Sequence, residues 1–462
     1  MKTFASVFLC SILVPCLGLL TGCAGLPNVH KIINETPDGQ GKVRIASSKG
    51  LLTPEESEAI MDRLRSSAAP TDILGRYTAV VDAVTGSPLT TGNKVTLLAN
   101  GLTAYAEMFR AIQNAKDHIN FETFIIDDDE VGRKFSDLLL KKQAEGVQVN
   151  LIFDAVGSFD TPAAFFKRLR DAGIRVAEFN PVSPLKVHKH WLLHPDHRKI
   201  LVIDGKVVIT GGINISKVYS SRLSDRKEVK GEPLPWRDTD VRIEGPAVAE
   251  FQKLFLDTWK KQAGAQLADR DYFPALTEPG DALVRVVGST PGQSNRLTFI
   301  VYVSAITFAQ RSVHLTNAYF IPDDQLLDAL TGAAGRGVDV KVIVPSQTDS
   351  EKALRAQRYT YSELLKAGVK VYERRKAVLH AKTAVIDGVW STVGSTNMDF
   401  WSFSSDDEVN AVILSTGFAA EMEAMFSSDL AESDQITLKK WKKRSLYTRL
   451  RQWFSHLFSH WL

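Results

Sequence analysis

The sequence predicts an α/β protein of two pseudo-symmetric halves, each a sandwich with a mostly parallel central sheet flanked by helices. Three observations predict it. Segments recur in the same order: 118–125 returns as 314–321 (314 − 118 = 196), 146–152 as 337–343 (337 − 146 = 191), and 172–176 as 367–371 (367 − 172 = 195). Matched order and near-constant offset mark duplication rather than chance. Short β-branched runs alternate with helical stretches such as 131–144 and 324–335, the pattern of strands joined by crossover helices. Gly146, Gly173, Gly337 and Gly368 sit where helix hands over to strand, as helix ends favour.

The 462 residues suffice for two domains, and 44% apolar with 24% charged residues is a globular balance, not that of a polytopic membrane protein. A net charge of +3 is too small to argue for nucleic acid. Cys10, Cys16 and Cys23 are the only cysteines, so the body of the chain offers no disulfide and no thiolate ligand. Lys2, the apolar run 4–20 and Leu20-Thr21-Gly22-Cys23 open the chain. The run is short for a spanning helix. The tetrad resembles the lipobox of bacterial lipoproteins, which implies a signal peptide over 1–22 and lipidation of Cys23. Ala24 in place of Asp then favours the outer membrane of a two-membrane bacterium, with the protein anchored in the envelope and facing the periplasm.

Residues 23–90 read as a tether and lead-in, with Thr53-Pro54-Glu55-Glu56 as a capping box that starts a helix. The halves fall at about 91–265 and 281–432, joined by a Gly-, Asp- and Pro-containing link, with an exposed charged insertion at 220–235. In the tail, 433–462, seven Lys or Arg lie between Lys439 and Arg451, and Leu446, Leu450, Trp453, Phe454, Leu457 and Trp461 recur at helical spacing. That is a basic amphipathic helix suited to a membrane interface.

Each half carries one further repeat: His197-x-Lys199, four residues, Asp204, then Gly211-Gly212-x-Asn214; and His380-x-Lys382, four residues, Asp387, then Gly394-Ser395-x-Asn397. His and Lys two apart share one face of a strand. Asp204-Gly205 and Asp387-Gly388 make turns, and a second strand returns toward each asparagine. Two such surfaces, face to face, could bracket one phosphate. A lone H-x-K is usually a surface strand; two complete copies at matched positions of a duplicated chain are not.

These motifs resemble the H-x-K-x4-D-x6-G-[GS]-x-N signature of the phospholipase D superfamily, and Glu122-Thr123-Phe124, Asn317-Ala318-Tyr319-Phe320 and Gly211-Gly212 are similar to bacterial cardiolipin synthases within it. The resemblance spans about 95–432. It implies phosphodiester exchange through a phosphohistidine. His197 would be the nucleophile and His380 the acid/base, with the reverse left open by the symmetry of the motifs. Lys199 and Lys382 would neutralise charge, and Asn214, Asn397 and Ser395 would donate hydrogen bonds. Each histidine needs an acceptor on its second ring nitrogen: Glu408 from the second half, Asp238 or Asp240 from the first. Asp204 and Asp387 read as turn or supporting residues.

No organic cofactor and no metal is expected. His188, His190 and His194 lack a carboxylate or cysteine at ligand spacing, and the acidic run 127–130 reads as helix N-terminal charge rather than a calcium site. The expected partners are phospholipids such as phosphatidylglycerol and a membrane surface; nucleic acid is disfavoured and no obligate protein partner is implied. Besides a phosphatidyltransferase, a phospholipase D hydrolase, a secreted phosphodiesterase or nuclease, and a non-catalytic lipid-binding lipoprotein stay open.

Overall fold

The computed structural model describes residues 25–36, 43–181, 194–220, 234–262, 266–291 and 296–458. The leader, Cys23, His188, His190, Trp461 and most of the insertion at 220–235 lie outside these residues. Both halves share one strand order. In the first it is Leu89–Leu98, Asp240–Glu244, Val207–Gly211, Ile200–Ile203, His118–Thr123, Gln148–Asp154, Arg175–Phe179. In the second it is Ala282–Ser289, Glu408–Leu414, Trp390–Gly394, Lys382–Ile386, Ser312–Asn317, Asp339–Pro345, Lys370–Arg374. Ser433–Ile436, expected in the tail, adds an edge strand beside Lys370–Arg374.

The sheets are mixed, which corrects the expectation of mostly parallel ones. Within each of these two strand orders only the two outer pairs, 118–123 with 148–154 with 175–179 and 312–317 with 339–345 with 370–374, run parallel. The reason is local. Strand–helix–strand crossovers give parallel neighbours, whereas the short strand of each H-x-K-x4-D motif, four residues in the first half and five in the second, is followed by a tight turn and must pair antiparallel. At both turns Asp and Gly take positive φ (Asp204 52°, Gly205 62°; Asp387 53°, Gly388 65°), a backbone that Asp and Gly tolerate best.

The strand Ile200–Ile203 is buried throughout and reads as a continuous apolar run, whereas His118–Thr123 and Glu408–Leu414 are buried throughout although polar residues interrupt them. The capping box at Thr53 is formed and starts the helix Pro54–Ser67. Part of the segment expected as a tether is packed core: Val29, Ile33, Ile45, Met61, Tyr77 and Val81 bury against Phe299, Ile300 and Val303 of the second half. Leu89–Leu98 ties the halves together, pairing with Ala282–Ser289 through its first residues and with Asp240–Glu244 through its last. A shared core sets Ile200, Val202, Val208 and Val241 against Val385, Val393, Val409 and Ala411. The two motif hairpins therefore pack back to back, and their histidine ends emerge together.

Candidate active site

Each motif histidine is pinned by the opposite half. The His197 backbone N–H donates to the Asp407 carbonyl at 2.9 Å, and that of His380 to the Arg237 carbonyl at 2.8 Å. Buried arginines reinforce the seam. Arg198, between His197 and Lys199, pairs with Asp407 at 2.8 Å and donates to the carbonyls of Glu408 (3.2 Å) and Ser289 (2.9 Å). Arg237 forms a forked pair with Asp429 at 3.0 and 2.7 Å, a geometry the planar guanidinium favours.

The side-chain pairing is crossed in the same way. Nδ1 of His197 lies 3.0 Å from Glu408 of the second half, and Nδ1 of His380 lies 2.6 Å from Asp238 of the first. Of the two acids Asp238 and Asp240, Asp238 meets the His380 ring, while Asp240 accepts from the Ile213 N–H at 3.1 Å. Nδ1 of His380 is also 2.9 Å from the Lys382 ammonium. One ring nitrogen cannot donate to the first and accept from the second, and the shorter contact to a carboxylate is the stronger. Both Nδ1 atoms thus act as donors to carboxylates, leaving each Nε2 to carry the lone pair.

Gly212 and Ser395 occupy matching positions with different duties. A Cβ at residue 212 would lie 2.3 Å from the Asp238 carboxylate, so only glycine lets that acid through. Ser395 instead donates its hydroxyl to Glu408. Lys199 donates to the His197 carbonyl at 2.6 Å and lies 5.1 Å from the centre of the Phe124 ring; Lys382 donates to the His380 carbonyl.

Burial, followed by the neighbouring lysines, pushes both histidines down to about 4. At neutral pH both are uncharged, the form in which an imidazole nitrogen is nucleophilic. Burial likewise lowers Lys199 to about 7 and Lys382 to about 8. Burial acts to raise Glu408, but His197 and Lys199 outweigh it and hold the carboxyl below its ordinary value. Charge on His197 lowers His380 and charge on Lys382 lowers His197, so the two histidines and two lysines occupy one electrostatic neighbourhood.

Other predicted residues are placed differently. Asp204 accepts from the backbone N–H groups of Lys116, Asp117 and His118 (2.8–3.1 Å), and Asp387 from those of Gln310, Arg311 and Ser312 (2.8–3.0 Å). Both sit at the far turns of the hairpins and hold the start of the next strand, away from the histidines. Asn214 and Asn397 lie in the loops beyond Gly211 and Gly394. Asn214 accepts from the Ile125 N–H at 3.1 Å and donates to Tyr219 at 3.2 Å, whereas Oδ1 of Asn397 is buried without a partner. His197, Asp406 and Glu408 each offer an atom within 4.8 Å of the others. Both Glu408 oxygens are engaged, by His197 and Ser395, so the trio reads as an orienting pair beside a third acid.

The family model described as cardiolipin synthase, PLD-like domain, matches residues 108–225 and 302–430, together more than half of the chain. The chain belongs to that family. A cardiolipin synthase of Alkalihalophilus pseudofirmus is 35% identical over 375 residues, 81% of this chain and 73% of the relative. One of Listeria monocytogenes is 35% identical over 376 residues, 81% of this chain and 76% of the relative. Among solved structures, phosphatidylserine synthase of Haemophilus influenzae Rd KW20 shares the fold, with a TM-score of 0.61 and 14% identity over 82% of this chain and 98% of that one.

In this PLD-like chain aromatic rings pack around both histidines. Trp236, Tyr219 and Tyr319 surround the His380 ring at centroid distances of 4.9, 5.9 and 6.5 Å. Phe124 meets the edge of His197 at 5.0 Å. Phe124 and Tyr319 stand in the segments Glu122-Thr123-Phe124 and Asn317-Ala318-Tyr319-Phe320 noted in the sequence, whereas Trp236 is found by register: it stands two before Asp238, as Asp406 stands two before Glu408.

Proposed function

We propose that this enzyme is a phosphatidyltransferase of the phospholipase D superfamily, acting on glycerophospholipids such as phosphatidylglycerol through a phosphohistidine. The observation that carries the reading is the crossed pairing, His197 with Glu408 and His380 with Asp238, which makes one site from two halves. Nε2 of His197 attacks phosphorus. The bond from phosphorus to the leaving alcohol breaks, and Nε2–H of His380 gives its proton to that oxygen. The incoming lipid hydroxyl then passes its proton to His380, its oxygen attacks phosphorus, and His197 departs. Two displacements retain configuration at phosphorus. Lys199 and Lys382 offset the charge on the phosphoryl oxygens. The diester's own negative charge raises the histidines from about 4, so that His380 can carry the proton it must give.

The substrate class sets the location. We infer lipid attachment through Cys23, with the body facing the periplasm at an envelope membrane. No helix among the described residues is long and apolar enough to cross a bilayer. Incubation with phosphatidylglycerol vesicles and identification of products by mass tests the activity. Cardiolipin with glycerol is the expected outcome; phosphatidic acid would make the enzyme a hydrolase, DNA cleavage with inert lipid a nuclease, and no turnover a binding protein.

A further inference from the structure

The helix Leu446–Leu457 lies along the helix Glu351–Lys366 and meets it with one side only. At 3.6 residues per turn, Thr448, Gln452, Ser455 and His456 share that side. Gln452 is buried and bonded by Arg444, which also donates to the Ser362 hydroxyl at 3.0 Å, and His456 stacks on Tyr359 at 4.3 Å. The opposite side carries Leu446, Leu450, Trp453, Phe454 and Leu457, flanked by Tyr447 and Phe458, over an arc of roughly 140°. All seven are exposed, Leu446 by 76% and Leu450 by 61%.

A helix docked through polar residues with its apolar arc toward water reverses the usual arrangement, and packing on its own fold gives no account of the arc. Arg449 and Arg451 border its two edges, and Lys439, Lys440, Lys442 and Lys443 lead into it. All six are exposed, and no acid follows Asp434. A cavity of about 950 Å³ beneath the helix reaches Pro322 and Asp324, a few residues beyond Tyr319, whose ring faces His380.

We propose that this arc seats the folded body on an anionic phospholipid bilayer, with leucine and aromatic side chains at the acyl boundary and the cations at the depth of the phosphates. Charge selects the occupant. A second copy of the chain would bring cations against cations, whereas an anionic surface complements them. The inference deepens the lipid-exchange reading and rests on it only for the turnover arm of its test.

The test places the full chain on vesicles of phosphatidylglycerol and phosphatidylcholine whose brominated acyl chains quench tryptophan on contact. Quenching is expected, and Trp453→Phe should remove most of it. The double variant Leu450→Glu/Leu457→Glu should abolish it and lower turnover of vesicle lipid by about tenfold or more, with turnover of dispersed short-chain phosphatidylglycerol unchanged. Equal quenching in wild type and Trp453→Phe would overturn the proposal. So would vesicle turnover indifferent to the double variant, or a dimer by light scattering that the double variant dissociates while lipid quenching is absent. Quenching without turnover of any phospholipid would instead leave the seat standing and remove the enzymatic reading.

Discussion

The two half-sites share a scaffold and differ in what lines it. His380 is held at 2.6 Å by Asp238, which reaches it past a glycine, and is ringed by Trp236, Tyr219 and Tyr319. His197 is held at 3.0 Å by Glu408, itself steadied by Ser395, and its surroundings are Phe124 and a third acid, Asp406. Both halves carry the same His-x-Lys unit, with three aromatic rings gathered around His380 and one ring and a further acid beside His197. Each histidine is paired with its carboxylate across the seam. Neither half holds a complete site.

The comparison breaks most visibly at the histidines. His197→Ala and His380→Ala should each lower transfer by at least about 10⁴-fold, and the double variant should be hardly worse than either, because the two act as a unit. Next come their partners. Glu408→Gln and Asp238→Asn should each cost on the order of 10³-fold in kcat, through loss of the tautomer that leaves Nε2 free. An effect confined to one of them would mean that the second pair is only structural.

Stability sharpens the picture. Arg237→Ala removes the forked partner of the buried Asp429 carboxylate, leaving it only Arg374 at 3.5 Å, and should cost up to about 3–5 kcal/mol in urea unfolding. Folded values of about 4 for both histidines, against an ordinary 6.5, mean that the unfolded chain takes up their protons first. Stability is complete above about pH 6.5 and falls as pH drops toward 4, by roughly 3 kcal/mol for each histidine. The acid-side loss of thermal midpoint should be smaller in His380→Ala. On the alkaline side, Lys199 at about 7 and Lys382 at about 8 shed charge as pH rises, so kcat/KM for the anionic substrate should decline through that range. The smallest effect is expected from Asp240→Asn. Burial holds that carboxyl well above the usual range, so the neutral amide is close to what it replaces, and activity within about threefold of wild type would set it apart from Asp238.

Much of this was legible in the sequence. The duplicated segments and the glycines at helix ends located the α/β halves, and the paired H-x-K motifs named the histidines and lysines. Strand direction was not legible where the motif hairpins turn, because a buried apolar run reads alike in parallel and antiparallel neighbours. The crossed pairing also escaped, since Glu408 and Asp238 follow their own half's motif in sequence yet meet the other half's histidine. Asp204 and Asp387 read from the sequence as turn or supporting residues, but the groups they support were not legible: each serves three backbone amides at the opposite end of a hairpin. Aromatic walls such as Trp236 carry no spacing signature of their own.

Covalent trapping bears most directly on the claim that both histidines serve one phosphorus. A phospholipid donor whose headgroup leaves without needing a proton is offered to His380→Ala and to His197→Ala, and the peptides are weighed. A phosphatidyl adduct on the peptide holding His197 in the first variant, and none in the second, is the predicted result. Adducts on the surviving histidine of both variants, each turning over independently, would mean two separate sites and would contradict it.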